Sequence, residues 1–182
     1  FAWQKHGMEN APDIITCAKG LTGAALPLGA VIISAAVYDA IKDRPFNAGL
    51  TYSGHPMSCA AGLAAVNAYR GESLIGRSRR AGQKMFQQLL HMQDKHAVIG
   101  DVRGGDGLFA VVELVADRQS KAPIAEWPQI HPQLACLQQE AMELGVSFAI
   151  RGNLLISAPP LVIEEKDLKR ALDLLDVLLS KY

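Results

Sequence analysis

Residues 12–34 read PDIITCAKGLTGAALPLGAVIIS, and the fold is decided there. Ile14, Ile15, Thr16 and Cys17 make a largely β-branched apolar run of strand length, which predicts a strand buried on both faces. Lys19 follows at the strand's end, with Gly20 beside it and Gly23 shortly after. A second apolar run, residues 28–33, comes after Pro27. The pattern predicts two strands joined by a glycine-containing loop that carries one ammonium group. A surface lysine has no need of that setting, whereas a lysine that condenses with a carbonyl does. Such a lysine attacks as the neutral amine, and its free pKa is about 10.4, so neutrality near pH 7 needs roughly 4 to 5 kcal/mol of differential stabilisation. Desolvation at an apolar strand end is one source of it, and a neighbouring cation is another.

The chain has 182 residues, 49% of them hydrophobic, enough for a substantial core and one or two domains. Eighteen Lys and Arg balance eighteen Asp and Glu, so no net field recruits nucleic acid or an anionic membrane surface. Arg77, Arg79, Arg80 and Lys84 cluster within a helical pattern and read as a solvated face. Cys17, Cys59 and Cys136 are widely spaced, without metal-ligand or C-x-x-C spacing, and suggest reduced core thiols in a cytoplasmic protein. Residues 21–38 carry no charge over the length of a membrane helix, but Gly23, Pro27 and Gly29 interrupt them, so no membrane span is expected.

Outward from the lysine stretch, residues 1–10 read as loop. Ser34 is placed to cap a short helix over residues 35–42, and a loop over 43–55 leads to Pro56, which suits a first helical turn. Thr51 and Ser53 precede that proline; hydroxyls at a helix N-terminus either cap the helix or bind phosphate, and Ser53 is the expected cap. The helix over residues 57–70 is lined by small residues, among them Ala61, Gly62 and Ala65, which permit close backbone approach and suit a helix buried at a subunit or domain contact. Ser73 is expected to cap a helix over 74–95 whose apolar positions are Leu74, Ala81, Met85, Leu89 and Met92. Residues 98–103 and 108–115 read as strands around a glycine-rich turn, and Arg103 reads as structural. Residues 116–132 are expected to be loop, with Trp127 either buried or lining an access path. A helix over 133–144 ends at Gly145, strands over 146–150 and 154–158 flank Arg151-Gly152-Asn153, and a last helix covers 164–179.

Four strings, in order, resemble the class III aminotransferases: PDIITCAKGLTG with PLGAV around Lys19, GLTYSGHP over residues 49–56, RGGDGL over 103–108 (the family's R-G-x-G-L with one residue inserted), and APPLVI over 158–163. The resemblance implies an α/β chain belonging to a fold type I transferase dependent on pyridoxal 5′-phosphate (PLP). Residues 1–72 would be the C-terminal part of the large PLP-binding domain and residues 73–182 the small C-terminal domain. It assigns Lys19 as the Schiff-base and acid–base lysine, and Thr51 as a contact to the cofactor phosphate across a homodimer or larger homo-oligomer. The family's upstream cofactor-binding features are not identifiable, and the first residue is Phe1, so the chain is expected to be the C-terminal half or so of an enzyme.

Substrate expectations also follow from the resemblance. Many members that bind an α-carboxylate carry an arginine just before P-P-L, where this chain has Leu155, Ile156 and Ser157. Arg151 resembles instead the mobile arginine of the ω-amino acid and amine:pyruvate group, with spacing to Pro159 about two residues short. The implied reaction moves an amino group from an amine or ω-amino acid to a keto acid such as pyruvate, with no metal. The alternatives are another class III PLP reaction (aminomutase, racemase or decarboxylase) or a non-catalytic dimerisation fragment.

Overall fold

The structure, a computed structural model, describes residues 1–181. It divides into two compact units, Phe1–Glu72 and a second beginning at Ser73.

The first unit opens with two short 3-10 turns, Ala2–His6 and Met8–Asn10, where the sequence suggested loop. Strands β1 (Ile14–Cys17) and β2 (Ala30–Ile33) then pair antiparallel, from Ile14 opposite Ile33 to Cys17 opposite Ala30. The strands are where the apolar runs put them, but the expected burial on both faces is not found: Ile14 is 56% and Val31 64% exposed. A two-stranded ribbon is covered only by what packs on it, and among the described residues nothing encloses this one. Ser34 caps helix α1 (Ala35–Ile41): its hydroxyl accepts from the Val37 N–H at 3.3 Å and donates to Asp13 Oδ1 at 2.8 Å, tying the helix to the approach of β1. Helix α2 (Pro56–Gly71) starts at the expected proline. Its N-cap is His55, without a side-chain cap bond, and not Ser53. Pro56 with its preset φ occupies the first turn, so the cap position falls on the residue directly before it.

The second unit begins with helix α3 (Leu74–Lys95). Ser73 stands at its N-cap, but in the left-handed region (φ 50°), and its hydroxyl makes no cap bond. Leu74, Ser78, Gly82, Met85, Leu89 and Met92 are buried at spacings of three and four, so Ser78 and Gly82 complete the inward stripe. Strands β3 (Ile99–Arg103), β4 (Ala110–Asp117) and β5 (Ala122–Pro123) follow; β5 is a two-residue pairing with β4 inside the expected loop. Helix α4 (Pro132–Glu143), strands β6 (Ala149–Arg151) and β7 (Leu154–Ser157) and helix α5 (Glu165–Leu179) complete the chain. The sheet is antiparallel in the order β3-β4-β7-β6, with β5 on β4.

Alternation along these strands sends Val102, Ala110, Val112, Leu114, Ile150 and Leu155 into one core with Met85 and Leu89 of α3, Leu137 of α4 and Leu172 and Leu175 of α5. Each fully buried leucine contributes about 1.5–3 kcal/mol of transfer free energy. The other face is polar or half-buried, with Asp101 opposite Glu113, Glu113 opposite Leu154, and Leu154 opposite Arg151 across four strands. Arg151, expected in the turn, is the last residue of β6 because it pairs with Leu154 and leaves Gly152-Asn153 as a two-residue turn.

Two polar anchors fasten the end of α3. The Arg118 guanidinium donates to the carbonyls of Gln93, His96 and Ile99, tying the last turn of α3, where Gln93 has a carbonyl that the helix end leaves without an intrahelical partner, to the start of β3. Asp176 on α5 binds Lys95 Nζ and the buried His96 Nε2, each at 2.6 Å. Those two hydrogen bonds, Lys95 first, hold the Asp176 carboxyl below the usual carboxylate range, against a smaller opposing effect of burial.

Candidate active site

Lys19 stands at the first position of a 3-10 turn, Lys19–Thr22, immediately after β1. Its φ is +54°, a left-handed conformation that costs a non-glycine residue free energy and that surrounding contacts must hold in place. The contacts are local and strong. Thr22, 4% exposed, donates its hydroxyl to the Leu26 carbonyl at 2.6 Å. Tyr69 of α2 donates its phenol O–H to the Gly20 carbonyl at 2.8 Å. Gly62 lets α2 approach the loop: a Cβ there would lie 2.8 Å from Leu28 Cδ2 and 3.8 Å from the Leu21 carbonyl oxygen. Gly23, also left-handed, closes the turn. The loop is thus fixed from both sides while the Lys19 side chain is exposed, its Nζ without a hydrogen bond or ion pair among the described residues. The apolar, desolvated setting that the sequence suggested for this lysine is not found, since its side chain is exposed; what the turn provides is a primary amine held at a fixed place, free to meet a carbonyl.

Thr51 lies in the exposed turn between α1 and α2. Its hydroxyl has no partner among the described residues, and Tyr52 packs its ring 5.9 Å from that of His55. His55 Nδ1 is buried and without a hydrogen-bond partner among the described residues, so this turn retains unspent polar capacity beside the start of α2. The same turn leaves Leu50 81% and Tyr52 80% exposed. A primary amine and an exposed hydroxyl in the turn that leads to a helix are groups able to bind the aldehyde and the phosphate of a phosphorylated aldehyde, so these residues fit such a cofactor.

In the second unit Arg103 is committed to two carboxylates, Asp101 Oδ2 and Glu113 Oε2, both at 2.6 Å. The Glu113 bond, then the Asp101 bond, push its pKa up, and this is the structural arginine the sequence suggested. Arg151 is exposed on the outer face of the sheet, its guanidinium carbon 6.0 Å from the centroid of the Trp127 ring. Leu155 and Ser157 point into the core, and the Ala158-Pro159-Pro160 run borders a cavity of about 370 Å³ together with Ser147, Phe148 and Arg170. Among the described residues no group of three or more His, Cys, Asp or Glu is arranged to hold a metal ion, and no helix is long and apolar enough to cross a membrane. Gly62 serves the close approach that the small residues of α2 suggested, whereas the support from Tyr69 is not legible, because nothing in a tyrosine 49 positions away announces its bond to Gly20.

Known proteins place the chain clearly. The model of the family described as aminotransferase class-III matches residues 1–179. The taurine–pyruvate aminotransferase of Rhodobacter capsulatus is 31% identical over all of this chain and 40% of its own length. The omega-aminotransferase of Caulobacter vibrioides is 34% identical over 95% of the chain and 38% of its own length. A leucine/methionine racemase of Thermococcus litoralis is likewise 34% identical, over 97% and 37%. Among solved structures, the taurine:2-oxoglutarate aminotransferase of Bifidobacterium kashiwanohense, in complex with PLP and glutamate, superposes with a TM-score of 0.90 at 32% identity, covering 100% of this chain and 40% of that one. The chain spans about two fifths of the length of these relatives. With the lysine loop, the following strand and both units matched along nearly its whole length, this chain belongs to the class III aminotransferases, α/β proteins of PLP-dependent fold type I.

Proposed function

We propose that the enzyme containing this chain is a PLP-dependent transaminase that moves an amino group from an amine or ω-amino acid to a keto acid, with pyruvate as acceptor. The observation that carries the reading is Lys19: a left-handed lysine on a turn pinned by Tyr69 and Gly62, its amine exposed and unpaired among the described residues. Kinship to a taurine–pyruvate aminotransferase supports the acceptor. Residues 1–72 act as part of the cofactor-binding domain and the remainder as the small domain.

Lys19 Nζ would hold the cofactor, and as a free amine it would take the proton from the donor carbon that bears the amino group, acting as general base. PLP, when bound, supplies the sink for the electron pair left on that carbon. Thr51 of the partner subunit donates its hydroxyl to the cofactor phosphate, which makes a homodimer the smallest active unit; exposed Phe46, Leu50 and Tyr52 on the same loop supply apolar surface for that contact. Arg151 takes the substrate carboxylate through its N–H edge. The three cysteines are free, in keeping with a cytoplasmic enzyme, but Cys59 and Cys136 are exposed and Cys17 half-buried, so they are not the core thiols the sequence suggested.

Borohydride reduction of the full-length holoenzyme followed by peptide mass spectrometry should place a pyridoxyl group on Lys19. Lys19→Ala should abolish the adduct and lower turnover by roughly 10²–10⁴ or more with the fold intact. An adduct on another lysine defeats the assignment. The racemase relative keeps a second reading open: turnover that needs no keto acid would move the enzyme to that class.

A further inference from the structure

The arginines on and beside the sheet of the second unit differ in how they are used. Arg103 is bound by two carboxylates, Arg118 by three backbone carbonyls, and Arg170 donates to the Leu144 carbonyl. Arg151 has none of these: among the described residues its guanidinium meets no carboxylate and no carbonyl, and its recorded partner is the Trp127 ring. The nearest carboxylate along its row of the sheet, Glu113, is already engaged by Arg103 at 2.6 Å and by Asn153 Nδ2 at 3.4 Å. Trp127 is brought there by backbone. Gly152, buried and left-handed at φ 59°, follows Arg151, and a Cβ on it would stand 3.4 Å from the Trp127 backbone nitrogen and 3.5 Å from its Cα. The loop bearing Trp127 therefore lies against the β6–β7 turn, with the indole beside the guanidinium, and the ring remains 67% exposed.

We infer that Trp127 is the positioning residue for Arg151: the indole face supports the guanidinium and leaves its N–H edge free to take a substrate carboxylate. The inference rests on the carboxylate-binding role proposed above for Arg151. The two contacts are compatible because an aromatic face engages the flat of a guanidinium, whereas a carboxylate takes two N–H groups in its plane. Trp127 thus cuts the number of rotamers the long side chain must abandon when substrate arrives, which tightens binding without touching the reacting atoms.

The test uses the full-length, PLP-loaded enzyme with donor fixed at saturation and the best acceptor among pyruvate, glyoxylate and 2-oxoglutarate. Trp127→Leu should raise the acceptor KM about two- to fivefold, the range expected for an exposed cation–π pair, with kcat changed less than twofold. Trp127→Phe, which keeps an aromatic face, should restore most of the loss. Arg151→Ala should raise KM by about tenfold or more, as for a lost charged hydrogen bond, and adding Trp127→Leu to it should cost nothing further. An unchanged KM in Trp127→Leu beside a raised one in Arg151→Ala overturns the role of Trp127 alone. Additive effects in the double variant, or equal falls in kcat for Leu and Phe, do the same. An unchanged KM in Arg151→Ala overturns the carboxylate reading and this inference with it.

Discussion

Replacing Gly82 by alanine sets two effects against each other. In a solvent-exposed helix interior the change stabilises by about 1 kcal/mol, since alanine has the better helix propensity. Here the new Cβ would stand 2.2 Å from the Gly107 carbonyl oxygen, 2.3 Å from its carbon and 2.7 Å from its Cα. Every one of those atoms is backbone, so no side-chain end can swing aside, and the β3–β4 turn must retreat by about 1 Å to reach van der Waals contact. That retreat also pulls the Leu108 N–H from the buried Ser78 hydroxyl, now 3.2 Å away. Overpacking costs about 1–3 kcal/mol and the hydrogen bond about 1 kcal/mol, so the clash outweighs propensity and the net loss is about 1–3 kcal/mol. Native-state hydrogen exchange reads the loss where it occurs: protection of the Leu108 amide should fall by one to two orders of magnitude, and the urea midpoint of the second unit should drop. Ser78→Ala is the control, losing the bond without the clash and therefore less stability. A Gly82→Ala protein as stable as the parent, with Leu108 equally protected, would refute the close approach of α3 to this turn.

Two further consequences concern charge and the lysine loop. Asp176 has its pKa lowered in the folded state by Lys95 and His96, so its share of stability is present above the ordinary carboxylate pKa and is lost as pH falls through that value towards the lowered one. Urea midpoints for the parent and Asp176→Asn should therefore differ at pH 7 and draw together as pH falls below the ordinary carboxylate range, and a gap that does not narrow in acid contradicts the ion-pair account. Tyr69→Phe removes the hydroxyl that holds Gly20 and should cost about 0.5–1.5 kcal/mol. In the full-length enzyme it should lower kcat more than it raises substrate KM if the proposed roles hold, since it loosens the turn of Lys19 and does not touch Arg151; an unaltered kcat would show that the turn needs no such clamp.

Much of this molecule could be read from its letters because local chemistry and tertiary packing agree. Apolar spacing located α3 and α5 to within about a residue, Pro56 marked the start of α2, and Ser34 capped α1 as hydroxyls in that position do. The misreadings share a cause: each depended on a neighbour distant in sequence or on a backbone angle. A run such as IITC says that a strand forms, while its burial depends on what covers it. Ser73 has the right side chain for a cap, yet a left-handed φ turns its hydroxyl away from the bond. Arg151 reads as a turn residue until Leu154 is seen to pair with it. At the candidate site Lys19, Thr51 and Arg151 were legible as residue types in motifs. Of their supports, Gly62 was legible as a residue that permits close approach, but Tyr69 and Trp127 were not legible as such, because each acts through a contact between segments 20 or more residues apart.

The β1–β2 ribbon has a consequence for how this polypeptide behaves when made by itself. Two four-residue strands do not hold together in water without a covering layer. Among the described residues neither strand has a second neighbour, and Ile14, Val31 and Ile32 stand in the open, the composition from which strands of separate molecules pair and grow. The second unit, with its closed core, has a route to folding of its own. The first therefore sets the solubility of the chain, and in a cell it would be the portion that chaperones hold until another strand seals the edge.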